Sequence, residues 1–263
     1  RHALLGPSGA SRWLVCTPAP RLEATLPEKP SIFAERGHLA HELAELKVQR
    51  WLDPKGITTR TYNAKVKKLQ ARQFQGEDLW EDAMEGNTDA YLDFIKATAN
   101  AMPERPFIAV EREVDLSAYV PESFGTADLI MIGYGILHVI DYKNGAGVPV
   151  SAFENTQMKL YALGAYLMYG MLFEIGTIRM SIYQPNVSAE AQTWETTTPA
   201  LLEWADGIKP AAVRAFNGDG EFVPGEHCRF CRAAATCRAR AEHMLKAEGF
   251  APMLPPLISL EEA

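Results

Sequence analysis

The chain has 263 residues, of which 47% are hydrophobic and 22% charged, and its formal net charge is −7. This apolar content excludes a disordered chain, and the length is sufficient for one sizeable hydrophobic core. The negative charge argues against a protein that coats polyanions generally, although a local basic patch remains compatible with it. The longest apolar stretch, residues 160–173, is too short to span a bilayer, and four cysteines are too few for a disulfide scaffold. We therefore expect a soluble, cytoplasmic protein with no membrane partner.

The first hundred residues are predicted to be mainly helical. Helices are expected at three places, namely residues 8–14, 31–52 and 88–101. Residues 53–103 are interpreted as a helical insertion, and they include a basic stretch over residues 65–72. A second basic segment follows near the end of the chain, around Arg229 and Arg232. Either segment is a candidate surface for an anionic partner.

The middle of the chain changes to short runs rich in β-branched residues, separated by glycines. Strands are predicted over residues 107–116, 125–132, 136–142 and 177–184, and helices over residues 152–170 and 200–216. This order predicts an α/β fold, with a central mixed β-sheet flanked by helices. The helical N-terminal region and a cysteine-rich C-terminal loop complete the predicted architecture.

Three charged residues lie inside the apolar strands, at Asp128, Asp141 and Lys143. Charged side chains are costly in such places unless they are paired or bind a metal. If residues 134–135 form a two-residue turn, Asp128 lies opposite Asp141, with Cβ atoms about 4.5–5.5 Å apart. Because side chains alternate along a strand, Asp141 and Lys143 share one face and Tyr142 points to the other.

Two opposed carboxylates of this kind indicate a cation site. They repel each other unless a divalent ion lies between them, and oxygen ligands suit Mg²⁺ or Mn²⁺. A neighbouring lysine can orient a water or offset developing negative charge. The simpler alternative is a buried ion pair between Asp141 and Lys143, with Asp128 at a strand end.

The spacing of Asp128 and Asp141-Tyr142-Lys143 resembles the core motif of the PD-(D/E)XK nuclease superfamily, with Ala127 at the position of the motif's proline. Other segments resemble its RecB-like branch and a set of phage-encoded RecB-like proteins. These are Gly37-x-x-x-His41, Gln157-x-x-x-Tyr161 and the opening Ser11-Arg-Trp13-Leu-Val-Cys16. The resemblance extends over residues 8–245 and implies one nuclease domain, residues 1–263, with a restriction-endonuclease-like core.

The resemblance also implies a role for each matched residue. The metal ligands would be His41, Asp128, Asp141 and the carbonyl of Tyr142. Lys143 would serve the attacking water, while Gln157 and Tyr161 would support the lysine or the DNA backbone. The implied activity is hydrolysis of DNA phosphodiester bonds with Mg²⁺ or Mn²⁺. The resemblance favours an exonuclease over an endonuclease. A phage-encoded protein of this type would act in the host cytoplasm.

Several neighbouring residues have simpler interpretations. His41 could be an ordinary helical histidine, and Tyr161 an ordinary core residue. Glu111 and Glu113 lie on the strand before the hairpin, where either could face the site or be solvated. His38 is expected at the surface.

The cysteines form a second candidate site, with Cys228-x₂-Cys231-x₅-Cys237 near the end of the chain and Cys16 near its start. Four thiolates suit a [4Fe–4S] cluster or a tetrahedral Zn²⁺. A remote cysteine joined to such a triplet resembles the iron–sulfur site of some RecB-like nucleases, which favours the cluster over zinc. The segment 225–245 would then be closed by Cys16, although four unrelated free cysteines remain the alternative.

The sequence therefore favours a metal-dependent DNA nuclease with a structural [4Fe–4S] cluster. Two other classes stay open. One is a catalytically inactive nucleic-acid-binding module on the same fold. The other is an iron–sulfur redox sensor, which would not need the paired carboxylates.

Overall fold

The computed structural model describes residues 3–27, 31–145 and 148–248. Its helices are α1 Ala10–Trp13, α2 Ala19–Ala24, α3 Ile32–Leu52, α4 Thr59–Gln70, α5 Asp82–Asn100, α6 Thr156–Tyr169, α7 Thr198–Asn217 and α8 Arg238–Glu248. Its strands are β1 Gln73–Phe74, β2 Glu77–Asp78, β3 Phe107–Asp115, β4 Phe124–Gly133, β5 Ile136–Tyr142, β6 Thr177–Tyr183 and β7 Gln192–Thr197. Two short 3₁₀ turns, Pro7–Gly9 and Glu226–Phe230, precede α1 and the last cysteines.

The central sheet has five strands in the order β3-β4-β5-β6-β7. Only the β5–β6 pair is parallel, with α6 as the connection, so the sheet is mixed as predicted. The β4–β5 hairpin turns at Tyr134-Gly135 and pairs Gly133 with Ile136 and Leu129 with Ile140. The predicted hairpin register is therefore confirmed along the observed ladder.

Helices cover both faces of this sheet. On one face α6, α7 and the N-terminal turns pack against residues such as Ile130 and Val139. On the other face α3, α4 and α5 enclose a second core around Leu129, Ile140 and Tyr142. The predicted α/β class, a mixed sheet flanked by helices, is thus confirmed. In the described parts of the chain, no helix has both the length and the apolar character that a membrane span requires.

Local sequence explains where several helices begin. Thr58 caps α4 by accepting a hydrogen bond from Thr61 N at 3.3 Å. Asn155 caps α6 through Met158 N at 3.2 Å, and Thr197 caps α7. These side chains bind backbone N–H groups that have no partner within the first helical turn. The cap at Asn155 fixes the start of α6, which carries Gln157 and Tyr161.

The side-chain alternation of β3 and β4 reverses in the middle of the sheet. Val110 and Leu129 lie on the α3 side, whereas Val114 and Ala127 lie on the α6 side. Regular alternation would put residues four positions apart in β3, or two positions apart in β4, on the same face. The side chains therefore change face at Glu111 on β3 and at Asp128 on β4, and these two residues lie opposite each other.

Glu111 has a backbone feature that accounts for this reversal. Its φ is +46°, a left-handed conformation that is uncommon for a residue other than glycine. The ladder pairs Val110 with Leu129 and Arg112 with Ala127, and it skips Glu111 and Asp128. The sheet therefore releases both residues from regular pairing at the point where their carboxylates meet.

The main departures from the predicted elements lie outside the hairpin. The helix expected over residues 88–101 begins at Asp82 instead, because Gly86 and Asn87 are accommodated within its first turns. Strand β7 was not predicted, because this edge strand is polar and mostly exposed. Helices α2 and α8 also lacked a predicted counterpart, whereas α4 lies within the predicted helical insertion. Within residues 53–103, α5 contributes Tyr91 and Ile95 to the second core.

Candidate active site

At the centre of the site, a side chain of α3 contacts a side chain of β4 at the position where the strand alternation changes. The Nδ1 atom of His41, on α3, lies 3.3 Å from Oδ2 of Asp128, on β4. The same carboxylate oxygen accepts a hydrogen bond from the backbone N–H of Tyr142 at 2.8 Å. One ligand atom from each of His41, Glu111 and Asp128 lies within 4.8 Å of the other two. These three side chains form the imidazole–carboxylate group.

Glu111 is the member of this group that the sequence did not single out. It lies opposite Asp128, where the left-handed backbone removes it from the ladder. A glutamate on the preceding strand was considered for the site, but nothing in the sequence distinguished it from Glu113. The structure brings Glu111 into the group, while the exposed Glu113 lines the outer cleft.

The charges of the imidazole–carboxylate group are strongly interdependent. Burial disfavours the imidazolium of His41, but Asp128 and then Asp141 outweigh it and raise the pKa of His41 to about 9. Burial and the Asp128 carboxylate raise the pKa of Glu111 to about 7. Burial also opposes ionisation of Asp128, yet His41 and Lys143 hold the pKa of that carboxyl below its usual value. The group therefore holds protons on His41 and partly on Glu111 at neutral pH, and a bound cation would displace them.

A second set of contacts lies on the α6 side, next to the group. Lys143 Nζ lies 3.0 Å from Asp141 Oδ2 and 3.5 Å from Oε1 of Gln157. The amide of Gln157 donates to Asp141 Oδ1 at 3.3 Å and approaches the Tyr161 hydroxyl at 3.4 Å. We call Asp141, Lys143, Gln157 and Tyr161 the lysine cluster. As predicted from alternation, Asp141 and Lys143 meet one helix layer, while Tyr142 is buried in the other.

Asp141 is almost wholly buried and only partly satisfied. Its Oδ2 atom forms no hydrogen bond within the part of the chain that the structure describes, although the Lys143 ammonium lies beside it. Burial raises the pKa of Asp141 above its usual value, with Lys143 opposing the shift. Asp141 and Asp128 together hold the pKa of Lys143 above its usual value, against the effect of burial. The Lys143 ammonium, 3.0 Å from Oδ2, therefore supplies the charge that balances this buried oxygen.

A large cleft opens onto both sets of residues. Its volume is about 1040 Å³, and His41, Glu111 and Tyr161 are among the residues that line it. The N-terminal residues Pro7 and Arg12 also line it. The cleft is therefore large enough for several nucleotides and exposes members of both sets to them.

The four cysteines meet where the two ends of the chain come together. Cys16, Cys228, Cys231 and Cys237 all line one small cavity. Cys16 is buried, and the other three are half-buried. Among the described residues, no three of these sulfurs lie within 4.8 Å of one another. The four predicted cysteines therefore line one cavity, but their sulfur atoms are not grouped around one point.

A buried carboxylate ties this cysteine cavity to the cleft. Glu23 accepts from Arg12 Nε at 2.8 Å and from the backbone N–H of Arg232 at 2.7 Å. Arg12 lines both the cleft and the cysteine cavity, and Arg232 also lines the cleft. The cysteine-rich loop therefore supports one wall of the cleft.

The solved structures that this chain matches include a candidate exonuclease and an alkaline exonuclease. A candidate exonuclease from Eubacterium rectale matches at 10% identity with a TM-score of 0.46, over 89% of this chain and 88% of that one. An alkaline exonuclease from Laribacter hongkongensis matches at 13% identity with a TM-score of 0.32, over 75% of this chain and 92% of that one. Likenesses of this size do not establish an activity, so the function proposed below rests on the side chains of the site.

The sequence as a whole matches one family model. That model is described as "Protein of unknown function (DUF2800)", and the match covers residues 2–263. Because the match spans nearly the whole chain, the protein belongs to the DUF2800 family.

Proposed function

We propose that the protein is a metal-dependent deoxyribonuclease, acting as an exonuclease. The observation that carries this proposal is that the imidazole–carboxylate group and the lysine cluster lie next to each other, with His41, Glu111 and Tyr161 lining one cleft. A structural ion pair between Asp141 and Lys143 would not require two further acids and a histidine beside it. A buried site with this many carboxylates suits cation-assisted hydrolysis of a phosphodiester.

The residues of the site fit a hard divalent cation. His41, Glu111 and Asp128 supply one imidazole nitrogen and carboxylate oxygens within a 4.8 Å span. Asp141, a further ligand that the family resemblance implies, lies outside this 4.8 Å group, and its buried Oδ2 atom is ion-paired with Lys143. Carboxylate oxygens are the ligands that Mg²⁺ and Mn²⁺ prefer, and Tyr142 could add the carbonyl that the family resemblance implies.

The reaction divides between the cation and the protein's own residues. When bound, Mg²⁺ or Mn²⁺ supplies Lewis-acid chemistry, including a lowered pKa of bound water. Lys143, held between Asp141 and Gln157, presents a positive charge to the attacking water and to the developing charge on the phosphate. Tyr161 contacts Gln157 and lines the cleft, so it supports the lysine cluster on the substrate side.

We further propose that the cysteines bind a structural [4Fe–4S] cluster. A tetrahedral zinc ion holds its four sulfurs about 3.8 Å apart, given Zn–S bonds of about 2.3 Å. All four thiols line one cavity, which is consistent with a shared metal centre, and the family resemblance favours the cluster over a single zinc ion. Because Cys16 and the C-terminal triplet are distant in sequence, such a cluster would join the two ends of the chain.

Incubation with linear, end-labelled DNA tests the nuclease proposal. Mg²⁺ or Mn²⁺ should support release of nucleotides with 5′-phosphates and leave 3′-hydroxyl ends, whereas excess EDTA should stop the reaction. DNA binding without any cleavage would favour the inactive binding module. A bound cluster with neither binding nor cleavage would favour the redox sensor.

A further inference from the structure

The cleft itself is a poor environment for a polyanion. Five glutamates line it, namely Glu23, Glu42, Glu45, Glu111 and Glu113. Two arginines, Arg12 and Arg232, also line it, and Arg12 is paired with Glu23. Cations bound at the imidazole–carboxylate group would offset the negative charge of the cleft only beside that group. A nucleic acid strand that enters this cleft therefore needs positive charge at the rim.

Helix α4 carries a positive face of the required kind. Lys65, Lys68 and Arg72, the last just after the helix, are spaced i, i+3 and i+7, so they lie along one side. All three are exposed, while Val66 and Leu69 bury the inner side of α4. Seven residues of helix extend about 10 Å, which matches about three successive nucleotides of a duplex strand.

The contacts of α4 place this face beside the cleft. Arg72 donates to both carboxylate oxygens of Glu42, at 2.5 and 2.7 Å, and Glu42 lines the cleft. Lys65 is close enough to Glu45, another lining residue, to stabilise its carboxylate. At the start of α4, the Arg50 side chain stacks on Tyr62, with its guanidinium 4.3 Å from the ring centre. The helix is therefore held against α3 with Lys65 and Arg72 toward the cleft rim.

We propose that Lys65 and Lys68 bind the phosphodiester backbone of the nucleic acid strand as it enters the cleft, while Arg72, paired with Glu42, anchors the end of α4 beside the cleft. This inference rests on the proposed nuclease function and assigns the surface that receives the substrate. Recognition of this kind neutralises phosphates and does not distinguish bases, as expected for an enzyme that processes DNA of any sequence.

The same helix provides a matched control. Arg60 and Lys67 are exposed on the opposite side of α4, about 100–150° around the helix axis from the proposed face. A Lys65→Glu/Lys68→Glu double variant and an Arg60→Glu/Lys67→Glu double variant change the net charge equally. A difference between them therefore reports the position of the charges and not their number.

The test measures binding of labelled single-stranded and duplex oligonucleotides in Ca²⁺, at KCl concentrations from 50 to about 300 mM. Lys65→Glu/Lys68→Glu should weaken binding at least tenfold relative to the control double variant. It should also reduce the slope of log affinity against log salt by about two, one unit for each phosphate that the protein no longer neutralises. The oligonucleotide form, single-stranded or duplex, whose binding is weakened more is the form that crosses the rim of the cleft.

Equal affinities and slopes for the two double variants would overturn the inference. If glutamate substitutions lower the melting temperature, Lys65→Gln/Lys68→Gln and Arg60→Gln/Lys67→Gln give the same comparison without charge reversal. Cleavage of the same DNA in Mg²⁺ by the wild-type protein is measured in parallel. Failure of that cleavage contradicts the proposed function, whereas cleavage with indistinguishable double variants contradicts only the role of α4.

Discussion

The carboxylate of Asp128 accepts a hydrogen bond from the backbone N–H of Tyr142 at 2.8 Å, where the observed pairing of β4 with β5 ends. Asp128 thereby fixes the backbone of Tyr142, the residue between Asp141 and Lys143. The same oxygen faces His41, so a single side chain links α3 to the end of the hairpin.

Substitutions at Asp128 should separate this structural role from the chemical one. Asp128→Asn removes the negative charge but keeps an oxygen that can accept from Tyr142 N, so we expect the fold to persist and cleavage to fall at least about 100-fold. Asp128→Ala should lose cleavage equally. It should also lower the free energy of unfolding relative to Asp128→Asn by about 1–3 kcal/mol, because the Tyr142 N–H loses its partner. Urea unfolding of both variants measures the difference, and equal stabilities would contradict the structural role.

Glu111 should contribute to cation binding although it lies outside the motif. Glu111→Gln removes one charged ligand from the imidazole–carboxylate group and should weaken Mn²⁺ binding at least about tenfold, because the neutral amide brings no negative charge to the cation. Glu113→Gln is the matched control, since Glu113 lies two residues further along β3 and is exposed. Calorimetric titration with Mn²⁺ compares the two. If both variants bind Mn²⁺ like the wild-type protein, Glu111 is not a ligand.

The cysteine site predicts a specific metal content. Protein purified anaerobically should be brown and contain about four irons per chain. Cys16→Ser should lose the iron and melt at a lower temperature, because metal binding at such a site contributes folding energy. Val15→Ser changes the exposed neighbouring residue and should keep the iron. Stoichiometric zinc without iron in anaerobic protein would retain a metal site but contradict the cluster.

Stability should depend on pH through His138, which is buried and bonded through Nε2 to Ser181 Oγ at 2.7 Å. Burial, with Arg179 nearby, lowers the pKa of His138 from 6.5 to about 3. Between these values the unfolded chain binds more protons, so the free energy of unfolding falls as the pH falls from 6.5 toward 3. The loss attributable to this histidine is up to about 1.4 kcal/mol for each pH unit.

His138→Gln should remove this contribution to the pH dependence. Between pH 6.5 and about 5, the wild-type protein should lose about 2 kcal/mol more than the variant, as measured by urea unfolding. Ser181→Ala keeps the histidine and serves as the control. Parallel stability curves for wild-type and His138→Gln proteins would show that the histidine is not held neutral by the fold.

The hairpin was predictable because its signals are local. Apolar runs on either side of Tyr134-Gly135 fix the turn, and the turn fixes the register, which is observed from Gly133 with Ile136 to Leu129 with Ile140. The pairing of Asp141 with Lys143 on one face follows from alternation alone. Gln157 and Tyr161 came from resemblance, and the structure brings both to the lysine cluster.

Glu111 could not be predicted in the same way, because its position depends on a backbone reversal. Regular alternation is the basis of every strand prediction, and a left-handed glutamate in a strand breaks it without leaving a sequence signal. The course of α4 past Glu42 and Glu45 depends on tertiary contacts for the same reason. Strand β7 lacks the apolar alternation that would have revealed it, because it forms an edge of the sheet.

The most direct test of the central claim compares DNA cleavage by the wild-type protein and Asp141→Asn, purified in parallel and assayed on end-labelled linear DNA in Mg²⁺. The account predicts EDTA-sensitive cleavage by the wild-type protein and a loss of at least about 100-fold in Asp141→Asn, with the same circular dichroism spectrum. Equal cleavage by the two proteins would contradict the assignment of this site as the nuclease centre.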